Sequence, residues 1–149
     1  MRLSLILPSL LLAAAAAAAL PARPEIPPQD PPEAIEDHML AIGRNLRRLR
    51  REISDPAKKE AVLDRLVTMQ LAATQARALV PHIVEEAPAA ERAALLQEYR
   101  LMQIAFLRSM LDLEEAVVRG DQAAIEKKLA EVVAWQDKGH AKFNPENHH

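Results

Sequence analysis

The chain has 149 residues, of which 50% are hydrophobic and 3% aromatic, with 11 prolines, three glycines and no cysteine. A cysteine-free chain has no disulfides, no cysteine-ligated metal centre and no cofactor attached through C-x-x-C-H, and so few glycines and aromatics argue against β-sandwiches and barrels. The formal net charge of −2 is too near balance for a nucleic-acid-binding protein with a basic face.

The first 22 residues have the features of a secretory signal peptide. Arg2 gives a positive start, an apolar stretch follows, and a run of alanines ending at Ala19 supplies small residues for cleavage. We predict cleavage at Ala19 or Ala22, which leaves an exported, mildly acidic protein without stable membrane insertion. The alternative is an uncleaved anchor, because residues 3–20 are barely long enough to span about 30 Å of hydrocarbon.

A proline-rich linker is predicted over residues 23–32, because its prolines favour extended backbone and are excluded from helix interiors. At the end of the linker, Asp30 is a candidate N-cap, prolines occupy the next two positions, and Glu33 places an acid near the positive helix end. The first helix therefore begins near residue 33. Its apolar residues follow the spacing of a heptad seam, at Ile35, Met39, Ile42, Leu46, Leu49 and Ile53.

Three further helices follow in the sequence. The second begins at Asp55–Pro56 and runs to Val80, and a loop over residues 82–88 leads to the third. Gly120 is the expected C-terminal cap of the third helix, and Asp121 is the N-cap of the fourth, which ends near Phe143. Because short connections make sequence neighbours antiparallel, residues 33–144 are predicted to form an all-α, antiparallel up-down-up-down four-helix bundle, followed by a tail over residues 145–149.

Two residues on the predicted inner faces suggest a cofactor. The seams are rich in alanine, so one end of the core is expected to be underfilled unless another group occupies it. At about 1.5 Å per residue, Met39 and His140 lie roughly 10 Å and 6 Å from that same end. A thioether opposite an imidazole is an axial pair that binds haem iron in electron-transfer cytochromes. Taken singly, Met39 is also typical of an ordinary core methionine, and His140 is typical of a histidine near a helix C-terminus.

The same residues carry a resemblance to a known family. Residues 33–144 resemble the soluble cytochrome b562 family, in the stretch Ile35-Glu36-Asp37-His38-Met39, in His140-Ala141-Lys142-Phe143, and in the interval from Gly120 to His140. The resemblance implies a periplasmic bundle that holds one non-covalent haem b. It also implies that Met39 and His140 are the two axial ligands of the iron.

The expected haem pocket is walled by Ile42, Leu46, Tyr99 and Phe143. The chain departs from the family in several ways: Gln103 stands where a second aromatic residue is usual, Gln136 where a basic residue is usual, and Gly139 directly before the ligand, and the first connection between helices is longer than is usual. Because both axial positions are closed, the expected function is single-electron transfer with unidentified redox proteins, and the chain is not expected to be an enzyme.

Two other functions remain open at the level of the sequence. The first is a haemless helical bundle of the periplasm with a binding or stress-related role, in which Met39 and His140 are core residues. The second is divalent metal binding by His140, Asp137 and the terminal pair His148 and His149.

Overall fold

The structure is a computed structural model that describes residues 35–144, and within this range every regular element is helical. The helices are α1 (Ile35–Glu52), α2 (Lys59–Ala76), α3 (His82–Glu86), α4 (Ala89–Arg119) and α5 (Gln122–Phe143), and a 3-10 helix spans Pro56–Lys58 before α2. The predicted signal peptide, linker, tail and first turn of the first helix lie outside the described residues. No helix among residues 35–144 is long and apolar enough to cross a membrane.

The predicted capping residues begin and end the helices as expected. The carboxylate of Asp55 accepts a hydrogen bond from the backbone N–H of Ala57 at 3.0 Å, and Asp121 accepts one from Ala124 at 3.0 Å. Gly120 ends α4 with a φ of 69°, a left-handed conformation that favours glycine because it has no Cβ. Asp55 therefore caps the 3-10 helix that precedes α2, and Gly120 and Asp121 fix the connection between α4 and α5.

The segment after α2 differs from the prediction. The helix ends at Ala76 and not at Val80, and residues 82–86 of the expected loop form the short helix α3. The backbone N–H groups of Ala78 and Leu79 donate to the carbonyls of Gln75 and Ala76 in a turn. Val80 precedes a proline, which disfavours helical backbone at Val80. Val80 is consequently 41% exposed and does not belong to the core.

Side-chain contacts show which helices are neighbours. Lys59 of α2 donates to the carbonyl of Val118 at 2.9 Å, whereas Tyr99 donates to the carbonyl of Ala76 at 2.8 Å. The start of α2 thus lies near the end of α4, and these two helices run in opposite directions. α1 packs against α2 and α4 packs against α5, each pair being joined by a short connection.

The core is a single cluster of residues from α1, α2, α4 and α5. Its most deeply buried side chains come from the predicted stripes and include Leu49, Leu66, Met69, Leu113 and Val132, all with no exposed surface. Small side chains at Ala72, Ala73 and Ala116 complete the cluster. The alanine-rich seams therefore pack directly against larger residues in the part of the core that this cluster occupies.

We expect a pH-dependent contribution to stability from Glu52, which forms an ion pair with Arg65 (2.8 Å). The hydrogen bond from Arg65 lowers the pKa of Glu52 below its ordinary value of 4.5. A lowered folded-state pKa stabilises the fold above pH 4.5, and this contribution is lost as the pH falls through the lowered pKa. Glu52→Gln should therefore lower the Tm at neutral pH, and its difference from wild type should shrink on acidification.

Thermal unfolding followed by circular dichroism at several pH values measures this effect. Glu126→Gln, at an exposed position of α5, is the control and should show no comparable difference. A deficit for Glu52→Gln that is unchanged at the most acidic pH would contradict the assignment.

Candidate functional site

The two predicted ligands lie on different helices and are both partly buried. Met39 is in the first two turns of α1, where it packs against the core cluster, and His140 is in the last turn of α5. Each side chain therefore has one part near the protein interior and another part accessible to a group that enters from outside.

The helices that carry these residues are linked by one long side chain of α5, which reaches α1 one turn away from the predicted ligands. A Cβ built on Gly43 lies 3.9 Å from Nε2 of Gln136, so the side chain of α5 reaches close to the backbone of α1 at this level. Gly43 is four residues after Met39, and Gln136 is four residues before His140. Met39 and His140 are consequently each about one turn from this contact along their own helices.

The four predicted wall residues form two groups. Ile42 and Leu46 are 1% and 2% exposed and belong to the core cluster. Tyr99 is also buried, and its ring meets that of Phe143 edge to face with centroids 5.2 Å apart. The first group lies on α1 beside Met39, and the second joins α4 to the end of α5 that carries His140.

The hydroxyl of Tyr99 is held in the protein interior. It donates to the carbonyl of Ala76, and the amide of Gln103 lies near enough to the phenol to affect its pKa. Burial raises the pKa of Tyr99 above its ordinary value, and the hydrogen bond from Gln103 opposes part of that increase. Tyr99 is therefore a neutral phenol at physiological pH that links α2, α4 and α5.

Gly139 lies directly before the predicted histidine ligand, and because it has no side chain, other groups can approach the backbone of α5 there. A Cβ added at this glycine would lie 3.7 Å from the sulfur of Met102, which is an ordinary van der Waals distance. Together with the Tyr99–Phe143 ring contact, this sets the relative level of α4 and α5. Residues 99–103 of α4 lie beside residues 139–143 of α5.

Sequence reasoning missed one residue at this end. His38 is 6% exposed and is more deeply buried than the adjacent Met39. A signal was available, because His38 is four residues before Ile42 and so shares its face of α1. The structure thus places a second imidazole beside the predicted sulfur ligand.

Two surface clefts have linings that do not include these residues. One, of about 440 Å³, is lined by Val80, Val84, Glu85, Arg92, Ala93 and Leu96. The other, of about 200 Å³, is lined by Asn45, Ala61, Asp64, Arg65 and Thr68. Neither cleft is lined by a predicted site residue.

The metal-binding alternative gains no support from the described part of the chain. Among residues 35–144, no group of three or more histidine, aspartate or glutamate side chains is placed to hold a metal ion. His148 and His149, which complete the predicted set, lie outside the described residues.

Comparison with known proteins adds no assignment. The chain matches no family model, and no curated protein or solved structure is significantly similar to it.

Proposed function

We propose that the chain is an exported electron-transfer protein that binds one non-covalent haem b, with Met39 and His140 as axial ligands. In this proposal the four long helices pack as an antiparallel up-down-up-down bundle, and the haem occupies one end. The observation that supports the proposal is the contact of the Gln136 side chain with α1 at Gly43, with one predicted ligand about a turn from this contact along each helix.

The residues present fit such a group in their chemistry. The thioether and the imidazole are one soft and one borderline donor, the combination that holds haem iron in cytochromes c. Both are partly buried, and the apolar side chains of Ile42 and Leu46 continue inward from Met39. Bound haem supplies a one-electron Fe(III)/Fe(II) couple, and with both axial positions filled by the protein no coordination site is left for a substrate.

The cellular setting rests on the sequence. The predicted signal peptide supports export to the periplasm, where the partners are unidentified soluble or membrane-bound redox proteins. The near-balanced charge gives no support for nucleic-acid binding. The competing proposal, a haemless helical bundle, is distinguished by the experiment below.

An absorption spectrum of the purified chain after haem addition tests the proposal. We expect sharp low-spin bands in the reduced protein and a rise in Tm, because a ligand that binds only the folded state stabilises it. A preparation that stays colourless after removal of free haem, with an unchanged Tm, would leave the haemless bundle as the assignment.

Gly139 provides a second expected result. Gly139→Ala should increase the unfolding free energy of the haem-free protein by about 0.5–1 kcal/mol, because glycine inside a helix is less stable than alanine by this amount. No clash opposes the gain, since the added Cβ lies 3.7 Å from Met102. If the porphyrin packs against the backbone at Gly139, the methyl group that the same substitution adds weakens haem binding. Denaturant unfolding and haem titration measure the two effects separately.

Gly43→Ala is the matched control for Gly139→Ala. Its Cβ would also meet only ordinary contacts, at 3.6 Å from Arg47 and 3.9 Å from Gln136, but on α1. It should stabilise the fold in the same way. Unchanged haem affinity in Gly139→Ala would show that the porphyrin does not approach this part of α5.

A further inference from the structure

Gln103 has a buried carbonyl oxygen without a hydrogen-bond partner. The residue is 9% exposed and lies in α4 between Tyr99 and Phe106, and its Oε1 is buried and unpaired. Most buried polar groups in proteins are hydrogen-bonded, so an unpaired acceptor at a position that an apolar residue would fill requires an explanation.

An exchange of the amide oxygen and nitrogen does not remove the unpaired atom. The amide of Gln103 lowers the pKa of Tyr99, as an N–H group directed at the phenol oxygen does, and the Tyr99 hydroxyl proton is already donated to the carbonyl of Ala76. The Tyr99 oxygen can therefore only accept, and the donor must be the NH₂ group of Gln103. The exchanged amide would place two acceptors face to face, so this network fixes Oε1 on the side away from the phenol.

The fixed oxygen lies close to the level of the proposed histidine ligand. The contacts of Tyr99 with Phe143 and of Met102 with Gly139 place Gln103 within about one turn of the level of His140. A histidine that binds a metal through Nε2 carries its proton on Nδ1, and this N–H almost always donates to a protein acceptor or water. Met39, by contrast, has no proton to donate.

We infer that Gln103 is a positioning residue for the haem ligand: its Oε1 accepts the Nδ1–H of His140 when His140 binds the iron. The inference rests on the proposed haem function and adds to it the group that sets the tautomer and orientation of the ligand. Binding then satisfies the acceptor that is unpaired in this structure. The bond also makes the imidazole a stronger donor, which favours the ferric state and lowers the midpoint potential.

The test compares haem-loaded wild type with Gln103→Leu. We expect the variant to have a higher midpoint potential in spectroelectrochemistry and a haem affinity lower by roughly 10- to 100-fold, the range typical of lost partners of metal ligands. Its haem-free Tm should change little, because removal of the unpaired buried acceptor offsets the loss of the amide beside Tyr99. In ¹H–¹⁵N NMR of the reduced, diamagnetic protein, the Nδ1-bound proton of His140 should lose its protection from solvent exchange.

Two further variants make the comparison specific. Gln103→Met keeps an unbranched side chain without the amide and should behave like Gln103→Leu. Agreement between the two variants shows that the effect does not come from a packing disturbance by the branched leucine. Gln97→Leu, at an exposed position of the same helix, should change neither the potential nor the affinity.

The outcomes separate this inference from the proposed function. If wild type forms the low-spin haem protein but the Gln103 variants keep its potential, its affinity and the protected His140 proton, the positioning role is overturned and the haem function stands. If wild type does not bind haem, both are overturned. A lower haem-free Tm with an unchanged potential would assign Gln103 to fold stability alone.

Discussion

His140→Ala should abolish the low-spin spectrum of the haem-loaded protein. In the proposed site, the substitution removes the nitrogen donor from α5, and Met39 would be the one predicted ligand that remains. It should also remove the stabilisation by haem, which amounts to about 2.7 kcal/mol when free haem is at 100 times its Kd. Absorption spectra and thermal unfolding with and without haem measure both effects on the same preparation.

The matched control is His82→Ala. His82 lies in α3, its side chain is 73% exposed, and its contacts are with Glu85 and Glu86 on its own helix. This variant should bind haem as wild type does. Equal loss in the two variants would point to a general effect of histidine replacement, and an unchanged low-spin spectrum in His140→Ala would remove His140 from the site.

Met39→Leu tests the sulfur ligand while it keeps the apolar bulk. We expect loss of the low-spin bands, because leucine has no donor atom. The buried imidazole of His38 makes a second result informative. A low-spin spectrum that survives in Met39→Leu and disappears when His38→Ala is added would assign the ligand on α1 to His38, with nitrogen donors on both sides of the iron.

The helix boundaries that the sequence predicted correctly are those with a specific chemical signal. Asp55, Asp121 and the left-handed Gly120 determine local hydrogen bonds or backbone angles, and these depend on few other residues. The end of α2 was predicted four residues too late, because Val80 continues the apolar spacing although Pro81 makes its backbone non-helical. Periodicity alone does not distinguish a helix from an extended segment that continues its pattern.

The candidate site was predictable only in part, for a geometric reason. Adjacent residues on a helix differ by about 100° in direction, so the stripe through Ile42 and Leu46 can be extended to either Met39 or His38. The sequence favoured the methionine, and the structure buries the histidine more deeply. The unpaired oxygen of Gln103 could not be predicted from the sequence, because it depends on which acceptor the Tyr99 hydroxyl donates to.

The second large effect is expected in the core cluster. Leu66 of α2 has no exposed surface, whereas Leu71 of the same helix is 60% exposed. Leu66→Ala should lower the unfolding free energy by about 2–5 kcal/mol, the sum of lost apolar burial and the cavity left behind. Leu71→Ala should change it by no more than about 0.5 kcal/mol, because the leucine is largely in water in both states.

The same pair tests whether the helices fold without a cofactor. Leu66 belongs to the main cluster with Ile42 and Leu46, which also line the proposed haem site. If this cluster is packed before haem binds, denaturant unfolding of the haem-free protein will be cooperative and will show the full difference between the two variants. Equal, small losses from both substitutions would mean that the haem-free chain lacks a fixed core. Haem would then be needed to form the fold as well as to carry the electron.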